Sequence, residues 1–226
     1  MDVSSRNKQA GKAEEKKSLY TSFSDFLRKY RVVIIAVFSA IVIAVIGLAV
    51  IDAVREGAAT ASSARVEKLL EDYSSYQGET DSAKKAELEK SILASVEEIA
   101  KKWPRLFAGQ RARTVAARVY ESKSDWASAE REWIAAADAL PSSYMAPLAL
   151  QNAAAAAEEQ DADSRAIDYY KRLIANYDSA AIGIVHAYFA LGRLYENSRD
   201  YASAVENYKK IVSTWPDDDW TKLATD

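Results

Sequence analysis

Cysteine is absent from the 226 residues, which excludes disulfides, thiol catalysis, Cys-ligated metals and a lipid-modified N-terminal Cys. Glycine (7) and proline (4) are scarce, and no runs of alternating β-branched residues stand between turn signals, so no sheet is expected. There is no glycine-rich phosphate loop, no H-E-x-x-H pair and no nucleophile elbow. Asp161 and Asp163 begin like a calcium loop, but the glycine and terminal glutamate of such a loop are missing, so they read as a turn. The single histidine, His186, has no partner in sequence and reads as a surface or packing residue. Asp217, Asp218 and Asp219 follow Pro216 at a helix start, where acids complement the helix dipole. No catalytic residue, cofactor or metal is expected, and the chain does not read as an enzyme.

What is abundant is alanine, glutamate, lysine and leucine, which lose little entropy in a helix, so the fold class is all-α. The net charge of -3 hides an asymmetry. Residues 1–31 hold eight Lys or Arg against four acids, whereas residues 52–226 hold 22 against 29. An acidic main domain is poorly suited to neutralising phosphates, so nucleic acid is not an expected partner.

Residues 32–51, VVIIAVFSAIVIAVIGLAVI, carry no charge. Twenty residues at about 1.5 Å each span roughly the 30 Å hydrocarbon core of a bilayer. Arg28, Lys29 and Arg31 precede this run while Asp52, Arg55 and Glu56 follow it. The positive-inside rule then keeps the N-terminus cytoplasmic and exports the rest. The expected location is the inner (cytoplasmic) membrane, single-pass, with residues 52–226 periplasmic or otherwise extracytoplasmic. A cleaved signal peptide with Ala59-Thr60-Ala61 as its site is the rival, disfavoured by the length of the run and of the tail before it. Residues 1–18 read as a charged, structureless tail. Leu19, Tyr20, Phe23, Phe26, Leu27 and Tyr30 recur at helical spacing; that segment either lies in the headgroup layer or begins the membrane helix. Ala36, Ala40 and Ala44 form a small-residue stripe of the kind that lets membrane helices approach, or a by-product of alanine abundance.

Self-similarity organises the remainder. Asp125-Trp126-Ala127-Ser128-Ala129, with Trp133 and Pro141, recurs as Asp200-Tyr201-Ala202-Ser203-Ala204, with Tyr208 and Pro216. Ala117 and Tyr120 precede the first as Gly192 and Tyr195 precede the second, and Ala166 and Tyr170 mark a copy between them. These residues resemble the tetratricopeptide repeat family, whose pattern sets Leu-Gly and Tyr on helix A, Ala and an aromatic on helix B, and Pro at the close. Residues 185–218 match best through Tyr188, Leu191, Gly192, Tyr195, Ala204, Tyr208 and Pro216. Residues 110–143 and 147–180 are two further copies, and 58–104 is a degenerate first hairpin ending in Trp103-Pro104, followed at the far end by a short segment, 219–226. Small residues on helix A let helix B come close, and each hairpin leaves a face that only its neighbour covers. The expected architecture is one transmembrane helix followed by an α-solenoid. Periods of 37 and 38 rather than the family's 34 imply extra residues in helices or linkers.

The resemblance implies a protein-binding groove lined by helix A positions, which here are Arg111, Thr114, Arg118 and Glu121, then Gln151, Ala155 and Glu158, then His186, Phe189, Arg193 and Asn197. Phe189 and Arg193 depart from the Lys and Asn that the family's carboxylate clamps use. Two readings stay open: the arginines recognise an acidic or extended segment with Phe189 as an apolar anchor, or they pair with the domain's own acids. After Pro216 only Trp220 and Leu223 remain to cover the last helix B, which leaves an end able to self-associate or dock a partner. A basic tail, one N-terminal span and an exported repeat domain resemble the bacterial YfgM-type proteins, and that resemblance implies an adaptor beside the Sec translocon and periplasmic chaperones. The alternatives are an envelope-assembly scaffold that self-associates and a mitochondrial receptor with its repeats in the cytosol.

Overall fold

The computed structural model describes the backbone of residues 3–177 and 181–225, and the side chains of residues 27–33, 35–50, 52–54, 56–177 and 181–225. All regular structure among the described residues is helical: α1 (Val3–Gly78), α2 (Ser82–Lys102), α3 (Phe107–Glu121), α4 (Trp126–Ala139), α5 (Met145–Glu158), α6 (Asp163–Asn176), α7 (Ile184–Asn197), α8 (Tyr201–Thr214) and α9 (Asp219–Thr225). Two compact units divide at Gly57 and Ala58.

The first unit is helical from Val3, so the tail read from composition as structureless forms part of α1. The side chains of Leu19, Tyr20, Phe23 and Phe26 lie outside the described residues; Leu27 and Tyr30 are each 40% exposed. Between residues 32 and 50 the described side chains are exposed all round the helix, Ala36, Ala40 and Ala44 among them. This helix is long and apolar enough to cross a membrane by length and composition.

The second unit is a series of antiparallel hairpins. Within each, helix A and helix B meet through a small residue and an aromatic. A Cβ on Gly192 would stand 2.3 Å from the Tyr208 ring, so only glycine permits this approach of α8 to α7. Ala117 faces the same task beside Trp133, and Ala154 beside Tyr170, all of them buried. Alanines at 129, 136, 149, 153, 157, 166 and 187 are also buried, which brings the helices close and leaves gaps that the aromatics fill. A second cluster joins the C-terminal part of α1 to α2 and α3 through Leu69, Tyr76, Ile92, Val96, Trp103 and Val119. The region read as a degenerate hairpin is therefore occupied by the end of α1 and by α2.

Three equivalent turns connect helix A to helix B. In each, a residue before the second helix takes positive φ: Ser124 (57°), Asp161 (53°) and Arg199 (66°). The following amide then reaches back to a helix A carbonyl, Asp125 to Tyr120 at 3.0 Å, Ala162 to Ala157 at 3.0 Å and Asp200 to Tyr195 at 2.8 Å. The extra residues behind the 37- and 38-residue periods lie in the B-to-A connections, 140–144 and 177–183, because α3 to α8 keep 14 or 15 residues each.

The A helices run parallel to one another. Tyr76 of α1 meets Ser122 at the end of α3 (2.9 Å), the Phe107 ring at the start of α3 lies tilted against Tyr144 at the start of α5 (5.9 Å), and Glu158 ending α5 holds Arg193 of α7. The B helices are linked in the same sense. Glu130 of α4 accepts from Arg165 (2.9 Å) and Tyr169 (2.8 Å) of α6, and from Gln160 (2.7 Å) in the turn before it. Burial acts to raise the Glu130 carboxyl, but the bonds from Arg165, Tyr169 and Gln160 outweigh it and hold the carboxyl below its usual range.

Candidate functional site

The groove that the tetratricopeptide resemblance implies falls on α3, α5 and α7. On α3, Arg118 points into solvent near Tyr73 of α1, whose phenol burial raises and Arg118 draws back down. Thr114 is buried and donates its hydroxyl to the Arg111 carbonyl at 2.7 Å, so it serves its own helix. Arg111 lines a cleft of about 470 Å³ between α1 and α3, with Ala59, Ser62, Val66, Leu70 and Phe107.

On α5, Gln151 is committed to the next repeat. Gly183 precedes α7 in the left-handed region (φ 85°), and a Cβ there would lie 2.0 Å from the Gln151 Oε1. Glu158 accepts from the Tyr170 hydroxyl at 2.9 Å and from Arg193. Arg193 thus takes the internal pairing that the sequence left open for it. Ala155 is exposed between them.

On α7, Phe189 lies against Tyr208 (5.7 Å) and Trp220 (4.9 Å), and His186 lies edge-on to Trp220 (4.9 Å) and Tyr170 (5.9 Å). Asn197 is exposed at the end of the helix. Trp220 comes from α9, which packs on both α7 and α8. The expectation that Trp220 and Leu223 cover the last helix B is therefore corrected for the tryptophan: it turns onto helix A of the last repeat, while Leu223 stays 55% exposed. Burial lowers the His186 imidazole, Glu158 raises it and Arg193 lowers it further, and its Nδ1 has no hydrogen-bond partner.

Of the predicted set, Arg118 and Asn197 remain open on this face and Arg111 opens into the α1–α3 cleft. Gln151, Phe189 and Arg193 are engaged internally and Thr114 is buried. No group of three or more metal-capable side chains exists among the described residues.

The sequence reading missed two features. One is the anchoring role of a glutamate near the end of each helix A, two of them read from sequence as groove residues, which accepts from the aromatic twelve positions later: Glu121 from Trp133 (2.6 Å), Glu158 from Tyr170 (2.9 Å) and Glu196 from Tyr208 (3.2 Å). Their spacing of 37 and 38 was the available signal. The other is a set of exposed apolar residues at the start of each helix A: Leu106, Phe107, Tyr144 and Ile182. Leu106, Tyr144 and Ile182 stand 38 apart.

With this geometry in place, comparison with known families finds the tetratricopeptide repeat at residues 148–180 and 186–218, which correspond to α5–α6 and α7–α8. No curated protein matches the chain. The repeats make residues 148–218 a protein-interaction module.

Proposed function

We propose that the protein is a membrane-anchored adaptor, held in the inner membrane by residues 32–51, whose extracytoplasmic repeats hold other proteins near the exit of the Sec translocon or hand them to chaperones. The observation that carries this reading is the pairing of tetratricopeptide repeats with a charge-free run of 20 residues flanked by Arg28, Lys29 and Arg31 on one side only. Likeness to YfgM-type proteins in layout supports the translocon part, and the partner's identity rests on experiment. Crosslinking of the full-length protein in its membrane, with mass spectrometry of what is captured, tests it. Translocon subunits or emerging exported chains are the expected catch; envelope structural proteins alone would overturn the reading.

Arg118 is the cleanest probe of the binding face, because it is exposed and pairs with no carboxylate at salt-bridge distance among the described residues. Arg118→Ala should reduce capture of an acidic or extended segment several-fold with thermal stability unchanged. Arg193→Ala is less informative, since it also strips Glu158 of its partner.

A second reading, self-association, is favoured by one observation. On α8, Tyr201, Val205 and Val212 are exposed (61%, 46% and 38%), and with half-buried Tyr208 they form a stripe at helical spacing beside exposed Leu223. Sedimentation over a range of concentrations decides it. Val205→Lys should abolish any dimer without touching capture of other proteins.

A further inference from the structure

In the second unit the exposed large apolar side chains fall into two groups. Tyr201, Val205, Val212 and Leu223 belong to the terminal stripe. Leu106 (37%), Phe107 (37%), Tyr144 (67%) and Ile182 (61%) belong to one edge, because each stands at or just before the start of α3, α5 or α7 and those helices are parallel. These side chains are held outward rather than loosely placed. A Cβ on Gly109 would stand 2.2 Å from the Trp103 carbonyl oxygen, so the 103–106 turn sits hard against α3. Buried Gln110 donates to the carbonyls of Ala136 (3.0 Å) and Leu140 (3.4 Å) and accepts from the Ser143 hydroxyl (2.7 Å), which fixes the turn that carries Tyr144.

The charge at this edge opposes that of its domain. From Ile99 to Arg111 there are four Lys or Arg and no Asp or Glu, in a domain that is net acidic. Lys101, Lys102 and Arg105 are exposed at the corner beside Leu106 and Phe107, and Lys102 reaches over the Trp103 ring (4.8 Å) rather than to a carboxylate. The basic residues are confined to the α2–α3 corner, the apolar side chains continue to the start of α7, and the far corner carries Asp217, Asp218 and Asp219.

Covalent connection specifies what this edge can meet. Within the second unit, Ala59 and Ser62 of α1 line the same cleft as Leu106 and Phe107, so the chain enters the domain at this edge. Only residues 52–57 separate Ala58 from the apolar run, a reach of roughly 25 Å even when fully extended. We propose that Leu106, Phe107, Tyr144 and Ile182, flanked by Lys101, Lys102 and Arg105, seat this edge in the headgroup layer of an anionic bilayer. Aromatic and aliphatic tips with basic neighbours are the chemistry that layer accepts. Docking turns the domain so that its repeats stand at a fixed height over the membrane. The proposal rests on residues 32–51 being a retained anchor.

The absence of cysteine makes the test direct. The full-length protein is reconstituted into phosphatidylcholine vesicles with or without phosphatidylglycerol, carrying one environment-sensitive label at Tyr144→Cys, or, as a control on the opposite end of the A helices, at Glu159→Cys. Flotation with the vesicles reports the anchor independently of the label. In phosphatidylglycerol vesicles the label at 144 should be quenched by spin-labelled lipid at least severalfold more than the label at 159. Lys101→Glu, Lys102→Glu and Arg105→Glu together should remove most of that difference, with circular dichroism unchanged. A chain that floats while both labels stay equally wet would overturn the docking and leave the anchor standing. Shielding at 144 that appears only when other proteins are added would assign the edge to a protein partner and overturn the proposal. A chain that fails to float would overturn the anchor and the docking with it.

Discussion

Tyr170 is 1% exposed, and its hydroxyl survives burial because Glu158 accepts from it at 2.9 Å. Burial and the neighbouring carboxylate together push that phenol well above its ordinary range, so it stays a donor at every physiological pH. Glu196 holds Tyr208 more weakly, at 3.2 Å and in an exposed position. Glu158→Ala should therefore cost about 2–3 kcal/mol, since it strands a buried hydroxyl, while Glu196→Ala should cost under about 1 kcal/mol. Urea unfolding of the two variants checks the order; equal losses would mean that the Tyr170 hydroxyl finds water. Gly192 is the other residue with a sharp requirement. Alanine there would gain about 1 kcal/mol of helix propensity but force the Tyr208 ring away from a 2.3 Å clash. Overpacking of this kind typically costs about 1–3 kcal/mol, so Gly192→Ala should be destabilising on balance. Tyr208→Leu in the same background should recover part of the loss.

At the scale of the element, each helix B begins in a way the sequence partly announces. Asp125 accepts from the Ser128 amide at 3.2 Å and Asp200 from the Ser203 amide at 3.2 Å, the same cap 75 residues apart. Helix α6 begins after Ala162 with no side-chain cap and relies on the Asp161 turn and its packing. Asp125→Ala should cost about 1 kcal/mol in thermal or urea unfolding, the usual worth of an N-cap. This is why the repeats at 110–143 and 185–218 were easier to read than the one between them: cap, small slot, aromatic and proline coincide there. The family model reaches the middle copy as well, at residues 148–180. The candidate face was less legible, because helix A positions can be counted from the pattern but their neighbours cannot. Arg193 and Glu158 are 35 residues apart, and Gln151 meets Gly183 across a connection whose length the pattern does not set. The apolar edge was missed for a related reason. Its members are split among three connections 38 residues apart, so no window of sequence shows them together.

Across the whole molecule, the last hairpin of an array needs a cover, and α9 supplies it with seven residues. Its hold on α7 depends on Trp220 against His186 and Phe189. The groups facing His186 are Glu158 of α5, Tyr170 of α6, Arg193 on its own helix, and Trp220 of α9. Burial first, then Arg193, lowers the imidazole, and Glu158 opposes them without restoring it. A histidine lowered on folding binds more protons unfolded than folded in the interval between its two pKa values. Stability from this group is therefore complete above the unfolded value, about 6.5, and falls as pH drops below it toward the folded value. Charging His186 also places a cation in an aromatic pocket beside Arg193, so α9 should loosen before the rest of the array. Hydrogen exchange of the α9 amides should rise on acidification below about pH 6.5, relative to those of α3. His186→Phe keeps an aromatic ring against Trp220 and should flatten that dependence. Exchange that still rises in this variant would move the cause away from His186. Because α9 covers part of the same face that offers Arg118 and Asn197, its release in mild acid should lengthen the surface open to a partner by Phe189.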